Sequence, residues 1–346
     1  MNFFILSSIC HYIFVCPLSE NALLSSGKRV TLQGNVTKSY IQVEERVLLT
    51  LHRTEIPSTY RTRIRLHDTH TRREIPATQW NQIWSRSSCP NLIHPNLYLS
   101  PNKQHLLVHQ QSNNVGVPNL FVTLSLNSTT VRKQTFYGSP TKVIISEPLW
   151  LWNNKNFLFL VGTQKGIYCY MYDITKPKPT RIIPLGTPYG TLVRPFGYRV
   201  SLLGYTLDHR ILAIGHRDFW VTSKNGGNLF SFNMNKTPHI KTIDYAMPQD
   251  WQRLEVALSP NKKWLLWGVL GTYVLQNQTF RGYHVVLSTI DATHFSLVGS
   301  IPKKAIWGSP DIFGLQWGLN DKEFFLSIDS TLWKFPVKPQ IKVGLP

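Results

Sequence analysis

The residues of this 346-residue chain most able to do chemistry are its 12 histidines and 18 carboxylates, and they are poorly grouped for it. The densest histidine sets are His67-Asp68-Thr69-His70 and the segment His105–His109. On a β-strand His105 and His109 share a face, but the strand rise holds them about 13 Å apart, too far for one metal ion. His67 and His70 differ by three and face opposite sides of a straight strand. A metal also needs a third ligand and groups that orient the set. The expectation is therefore no metal and no cofactor, with the histidines exposed along strands.

Glycoside cleavage needs two carboxyl groups facing each other across a cleft. Glu44, Glu45, Asp208, Asp321 and Glu323 fall in turn segments, which leaves Asp250 and Asp311 as the pair near the long connecting segments. A serine peptidase needs G-x-S-x-G, which the chain lacks. Ser259–Trp264 approaches the Asp-box of sialidases, but Asn261 and Lys262–Lys263 stand where Asp and Gly belong. No enzyme is expected; a hydrolase or lyase acting on an anionic polysaccharide through Asp250 and Asp311 is the alternative. Cys89 and Cys169 form no C-x-x-C and read as ordinary buried thiols.

Binding is better represented. Lys and Arg number 37 against 18 acids, a formal charge of +19, which attracts acidic protein segments, anionic glycans or nucleic acid. No run of five basic residues occurs; instead cations and aromatics are mixed in segments 77–96, 185–200, 244–256 and 301–314. Trp, Tyr and Arg are the residue types that anchor interfaces. The binding candidates are Trp84, Arg86, Arg194, Tyr198, Trp251, Arg253, Lys303, Lys304 and Trp307. The competing role for the aromatics, Trp251 and Trp307 above all, is to wedge gaps between sheets. Arg86, Arg194 and Arg253 are the hardest to explain as packing.

What positions these segments is a repeat. LSPNKQHLLVH begins at Leu99 and LSPNKKWLLWG at Leu258, 159 residues later (258 − 99). Weaker copies follow if Glu45, Asn102, Asn154, Asp208, Asn261 and Asp321 are equivalent, at intervals of 57, 52, 54, 53 and 60 residues. Each unit reads as a short apolar strand, a polar turn, a strong second strand, a third strand and a weaker, more polar fourth. Such a unit matches one blade of a β-propeller, and six must stack because one blade cannot cover both its apolar faces. The expected fold is all-β: a six-bladed β-propeller of four-stranded antiparallel blades. Lys28–Gly34 belongs to no unit and is expected to close the last blade beside Leu332–Val337, removing exposed edges.

Residues 1–27 hold an apolar stretch from Phe3 to Val15, broken by Ser7, Ser8 and His11. It is too short and polar for a membrane span and reads as a signal-like or membrane-proximal segment, although Lys and Arg are missing before it. The expectation is an exported protein, periplasmic or secreted, with one domain over 28–346.

The phrase apolar-Ser-Pro-Asn-Lys resembles the SPDGK repeats of TolB-like, WD-repeat-like propellers. It stands here as Ser100-Pro101-Asn102-Lys103 and Ser259-Pro260-Asn261-Lys262, with strand ends at Asp173 and Asp291 and an aromatic at Trp333. Asn replaces the Asp, the Gly is missing, and no Gly-His…Trp-Asp signature appears. The resemblance spans about residues 28–340 and implies a docking surface, alone or beside a peptidase domain. Together these readings point to a monomeric, non-catalytic scaffold binding an acidic protein segment, or another polyanion such as a glycan, at a basic, aromatic rim. Single-stranded nucleic-acid binding is the further alternative, weakened by export.

Overall fold

The computed structural model describes residues 27–30, 36–44, 47–56, 59–68, 70–71, 73–87, 89, 92, 95–111, 118–128, 130–139, 142–186, 198–217, 229–234, 241–243, 252–275, 278–302, 312–328, 331–338 and 341–343. Among them the backbone forms six antiparallel sheets, met in chain order. After β1 (Lys28–Val30), the first sheet runs β2 (Val36–Glu44), β3 (Val47–Ile56), β4 (Thr59–Asp68) and β5 (Glu74–Ile75). A helix, α1 (Thr78–Arg86), leads to the second: β6 (Asn96–Leu99), β7 (His105–Gln110), β8 (Asn119–Ser125) and β9 (Val131–Phe136). In the third, β10 (Lys142–Ile144) and β11 (Leu149–Trp150) both pair with β12 (Asn156–Thr163), followed by β13 (Gly166–Asp173) and β14 (Arg181–Gly186).

The fourth sheet holds β15 (Tyr198–Tyr205), β16 (Ile211–Arg217), β17 (Leu229–Phe232) and β18 (Lys241–Ile243). The fifth holds β19 (Gln252–Leu258), β20 (Trp264–Leu275), β21 (Gln278–Thr289) and β22 (Phe295–Pro302). The sixth holds β23 (Ile312–Trp317), β24 (Glu323–Ile328) and β25 (Thr331–Pro336), and its outer strand is β1, with Lys28 opposite Lys334 and Val30 opposite Leu332. The expected pairing of the chain's early strand with its last sheet is thus present. The tail strand β26 (Ile341–Val343) adds to the outer edge of the fifth sheet, on β22.

Strand alternation explains how the sheets stack. In β7, Leu106 and Val108 pack toward the first sheet, with Leu49, Leu51 and Ile64, while Leu107 packs toward Phe157 and Phe159 of the third. In β12, Leu158 and Leu160 turn the other way, onto Phe230 and Phe232 of the fourth. Each consecutive pair of sheets shares one such core, and a last one joins Val30, Phe325 and Leu332 of the sixth sheet to Leu48 of the first. Strands at or beside the leading edge of each sheet meet in the same order: β2 on β6, β6 on β11, β12 on β15, β15 on β19, β19 on β23, and β23 on β2. Both faces of every sheet are therefore covered by a neighbour.

The repeated turn has one geometry. Asn102, Asn153, Asn261 and Asn320 each accept the N–H two residues on through Oδ1, at 3.2, 3.0, 2.9 and 3.1 Å. The next residue is left-handed at Lys103, Asn154, His209 and Lys262 (φ 61, 56, 59 and 62°). This corrects the sequence register by one residue in two units: Asn153 and Asn320, not Asn154 and Asp321, are the partners of Asn102. Ser100 and Ser259 lock their turns by donating to Asn102 and Asn261 while accepting the N–H of His105 and Trp264, all within 2.9 Å.

Neighbouring units are then tied position to position. Trp150 donates Nε1 to Tyr98 O at 2.8 Å, and Trp317, its equivalent three units later, donates to Ala257 O at 2.9 Å.

Candidate functional site

Segment 77–96, expected as a connector presenting Trp84 and Arg86, contains the helix α1 instead. Its apolar residues Trp80, Ile83 and Trp84 fall three and four apart, so one face carries all three, and all are buried. The reason lies in the first sheet, whose fourth strand β5 is only two residues long. That leaves much of the β4 edge unpaired, and the helix supplies what a strand would. Asn81 accepts the Ile64 N–H at 3.0 Å and donates to Ile64 O at 2.8 Å, while Trp84 Nε1 donates to Thr62 O at 2.8 Å. Trp84 is 2% exposed, so it has no surface to offer a partner and its candidacy as a binding residue is withdrawn. Arg86 is exposed at the helix C-terminus, where a cation is favoured by the backbone dipole.

Tyr198 and Arg253 start β15 and lie in β19, inner strands of their sheets, and only their backbone is described. Arg194, Trp251, Lys303, Lys304 and Trp307 lie outside the described residues, as do Asp250, Asp311 and the leader segment 1–26.

The histidines depart from expectation. His67 and His109 are buried at 3% and 1% exposure rather than lying along the surface. His67 Nε2 is 3.0 Å from Thr50 Oγ1 on the paired strand. His109 stacks on Phe121, with ring centroids 4.5 Å apart, and burial pushes its pKa down to about 4 against a partial opposing effect of Asn119. His105 stacks on Trp150 at 6.1 Å, so His105 and His109 do share a face, packed on aromatics. Among the described residues no three His, Cys, Asp or Glu side chains gather as a metal site. Cys89 and Cys169 are free and buried, and burial raises both thiols, to about 11 and about 12.

Two carboxylates, Glu255 on β19 and Glu147 beside β11, carry no signal in the sequence. Glu255 of β19 accepts the Gly314 N–H at 2.8 Å and the Leu315 N–H, bridging to β23 where the ladder of that sheet shifts register. Burial raises its pKa, and those two N–H donors pull it back down. Glu147, in the bend between β10 and β11, raises both Glu255 and Tyr98, so its charge is felt from the fifth and the second sheets together. Chemically, Glu255 is an acceptor already engaged by backbone donors, which suits it to holding β23 and not to attacking a substrate. Only 18 acids are spread over the chain, and no local pattern distinguishes these two from the turn acids.

No family model and no curated protein matches the chain. Solved structures similar to it include the β-propeller domain of the Trilobed protease from Pyrococcus furiosus, 11% identical over 86% of this chain and 82% of that one, with a TM-score of 0.46. Others are a protein described as a 6-phosphogluconolactonase from Bacteroides uniformis (12%, 87% and 82%, TM-score 0.49) and one described as a TolB from Agrobacterium tumefaciens (10%, 78% and 83%, TM-score 0.46). Likeness at this level carries no activity or partner across.

Proposed function

We propose that the chain is a closed six-bladed β-propeller acting as a non-catalytic scaffold for an acidic protein segment or another polyanion. Six shared cores and the return contact of β23 on β2 support the ring. One observation carries the function: with 37 cations and 18 acids, pairing every acid would still leave 19 cations without a carboxylate. Cations beyond what folding uses create a long-range field that captures anions. Export of the chain, to periplasm or medium, belongs to the same proposal; no described helix is long and apolar enough to cross a membrane.

The test is binding of the purified chain to poly-glutamate and to dextran sulfate across a salt series. The expected result is saturable binding that weakens steadily with salt and survives loss of Asp250 and Asp311. Failure to bind either polymer at low ionic strength overturns the scaffold reading. Cleavage of an anionic polysaccharide, abolished by Asp250→Asn or Asp311→Asn, replaces it with the hydrolase.

A further inference from the structure

An antiparallel four-stranded meander places its first and third turns at one end and its second turn and outgoing connector at the other. The strand ends that flank the basic, aromatic connectors therefore lie at one end of each sheet, and the repeated turns at the other. The repeated-turn end has its own composition. Directly after Ser100, Leu151, Thr206, Ser259 and Gly318, the equivalent corner residues are Pro101, Trp152, Leu207, Pro260 and Leu319, every one exposed. Trp152, Leu207 and Leu319 are 59, 65 and 43% accessible, among the most exposed large apolar side chains described. Turn corners ordinarily carry Gly, Asn, Asp, Ser or Pro, so three large apolar side chains that stay this exposed at one repeated corner, even with Trp152 packed on Tyr205 and His209, call for a reason beyond the turn itself.

Two further observations give one. First, the same turns hold Lys103, Lys155, Lys262, Lys263 and Lys322 against Asp208 and Asp321, a local excess of cations. Second, Lys103 and Lys262 occupy the left-handed position, where glycine would relieve the strain. The turn imposes this angle, since Asn154 and His209 share it, but lysine in place of glycine or asparagine at two of the four positions adds cations to this end. Adjacent turns also join into one surface. The Asn102 N–H donates to Asn154 across the second and third sheets, and Trp152 lies 6.3 Å from Tyr205 and 4.9 Å from His209 of the fourth, centroid to centroid.

The geometry points to this turn end, centred on Trp152 and Leu207 and flanked by Lys103 and Lys155, as the docking surface for a protein segment that carries both acidic and apolar side chains. The inference rests on the scaffold reading and moves its contact surface to the end opposite the connectors. The apolar corners select the partner class: a bare polyanion has nothing to set against Trp152 and Leu207, whereas an acidic segment with apolar residues covers them while its carboxylates meet the lysines.

The test uses the full chain and a fluorescein-labelled peptide alternating Glu and Phe, with binding read by anisotropy. Three variants are compared: Trp152→Ala with Leu207→Ala, Lys103→Glu with Lys155→Glu, and Arg86→Glu at the connector end. Trp152 packs on Tyr205 and His209 and Arg86 suits the helix C-terminus, so modest losses in thermal melts are expected, and a variant that still melts cooperatively qualifies for comparison. The first two variants are expected to bind at least about tenfold more weakly, and Arg86→Glu unchanged. Equal binding by the first variant overturns the inference in favour of a purely anionic ligand such as a glycan or nucleic acid. A loss confined to Arg86→Glu overturns it in favour of the connector end. Should the unmodified chain bind neither this peptide nor poly-glutamate at low salt, the scaffold reading itself falls.

Discussion

The side-chain oxygen of Asn154 accepts the backbone N–H of Asn102 at 2.8 Å, 52 residues away, and Asp321 does the same for Asn261 at 3.1 Å, 60 residues away. The first pair joins the second and third sheets, the second pair the fifth and sixth. The same turn position thus reaches back to the same atom in two separate places. Asp321→Ala should cost about 1 kcal/mol, the net value of one such hydrogen bond, and Asn154→Ala about 2 kcal/mol, because it also loses the bond to Trp152 O and puts Ala at a left-handed angle that Asn tolerates. Urea denaturation with an unchanged slope checks this; no loss in either variant would mean that the turns touch without stabilising each other.

Lys103 and Lys262 hold left-handed backbone angles that a Cβ opposes. Lys103→Gly or Lys262→Gly should stabilise the chain by about 1 kcal/mol, the strain removed less the added freedom of the unfolded glycine. Thermal melts decide it, and destabilisation by both would show that the lysine stems contribute packing that outweighs the backbone cost. Peptide binding measured on the same variants separates stability from docking.

Helix α1 should behave as an edge cover. Asn81→Ala removes two bonds to the β4 backbone and is expected to cost about 2 kcal/mol and to promote self-association, since an uncovered strand edge invites pairing. Trp84→Phe loses the bond to Thr62 and part of the buried ring volume, an expected cost of about 2–3 kcal/mol. Light scattering and denaturation measure both. Weakened polyanion binding by Trp84→Phe at unchanged stability would restore Trp84 as a contact residue.

His109 makes stability depend on pH. Its folded pKa of about 4 lies below the ordinary 6.5 because burial among aromatics disfavours the imidazolium. Between those values the unfolded chain binds more protons than the folded one, so this contribution is complete above pH 6.5 and is lost as pH falls toward 4. The expected loss is about 3 kcal/mol. His109→Leu should flatten that part of the profile, and denaturation of both proteins at either end of the window reads the difference. An unchanged slope in the variant would mean that the acid sensitivity resides in other groups.

The architecture was readable because its signals recur. Apolar runs such as Leu106–Val108 and Phe157–Val161 are continuous, as strands covered on both faces must be, and Lys28–Val30 stood out for belonging to no unit. The one-residue slip in the third and sixth turns arose where Asn153-Asn154 and Asn320-Asp321 put two polar residues side by side. Only backbone geometry tells which one folds back on the turn. Helix α1 was hidden because its cause lies elsewhere, in the shortness of β5, and its own signal is three residues at helical spacing. Glu147 and Glu255 carry no local mark; the charge of one acts on the other across 108 residues of sequence (255 − 147 = 108). The exposed corners leave no mark in the sequence because Trp152 and Leu207 sit among apolar strands and read as part of them.

The pairing of Val30 with Leu332 also sets a timetable. Those partners leave the ribosome about 300 residues apart, which at ordinary rates of synthesis is roughly 15–60 s. For that interval Leu48 lacks Phe325 and Leu332, the part of its core that the last sheet brings. Chains stopped before Phe325 are therefore expected to aggregate more readily than the full chain, through that uncovered apolar face.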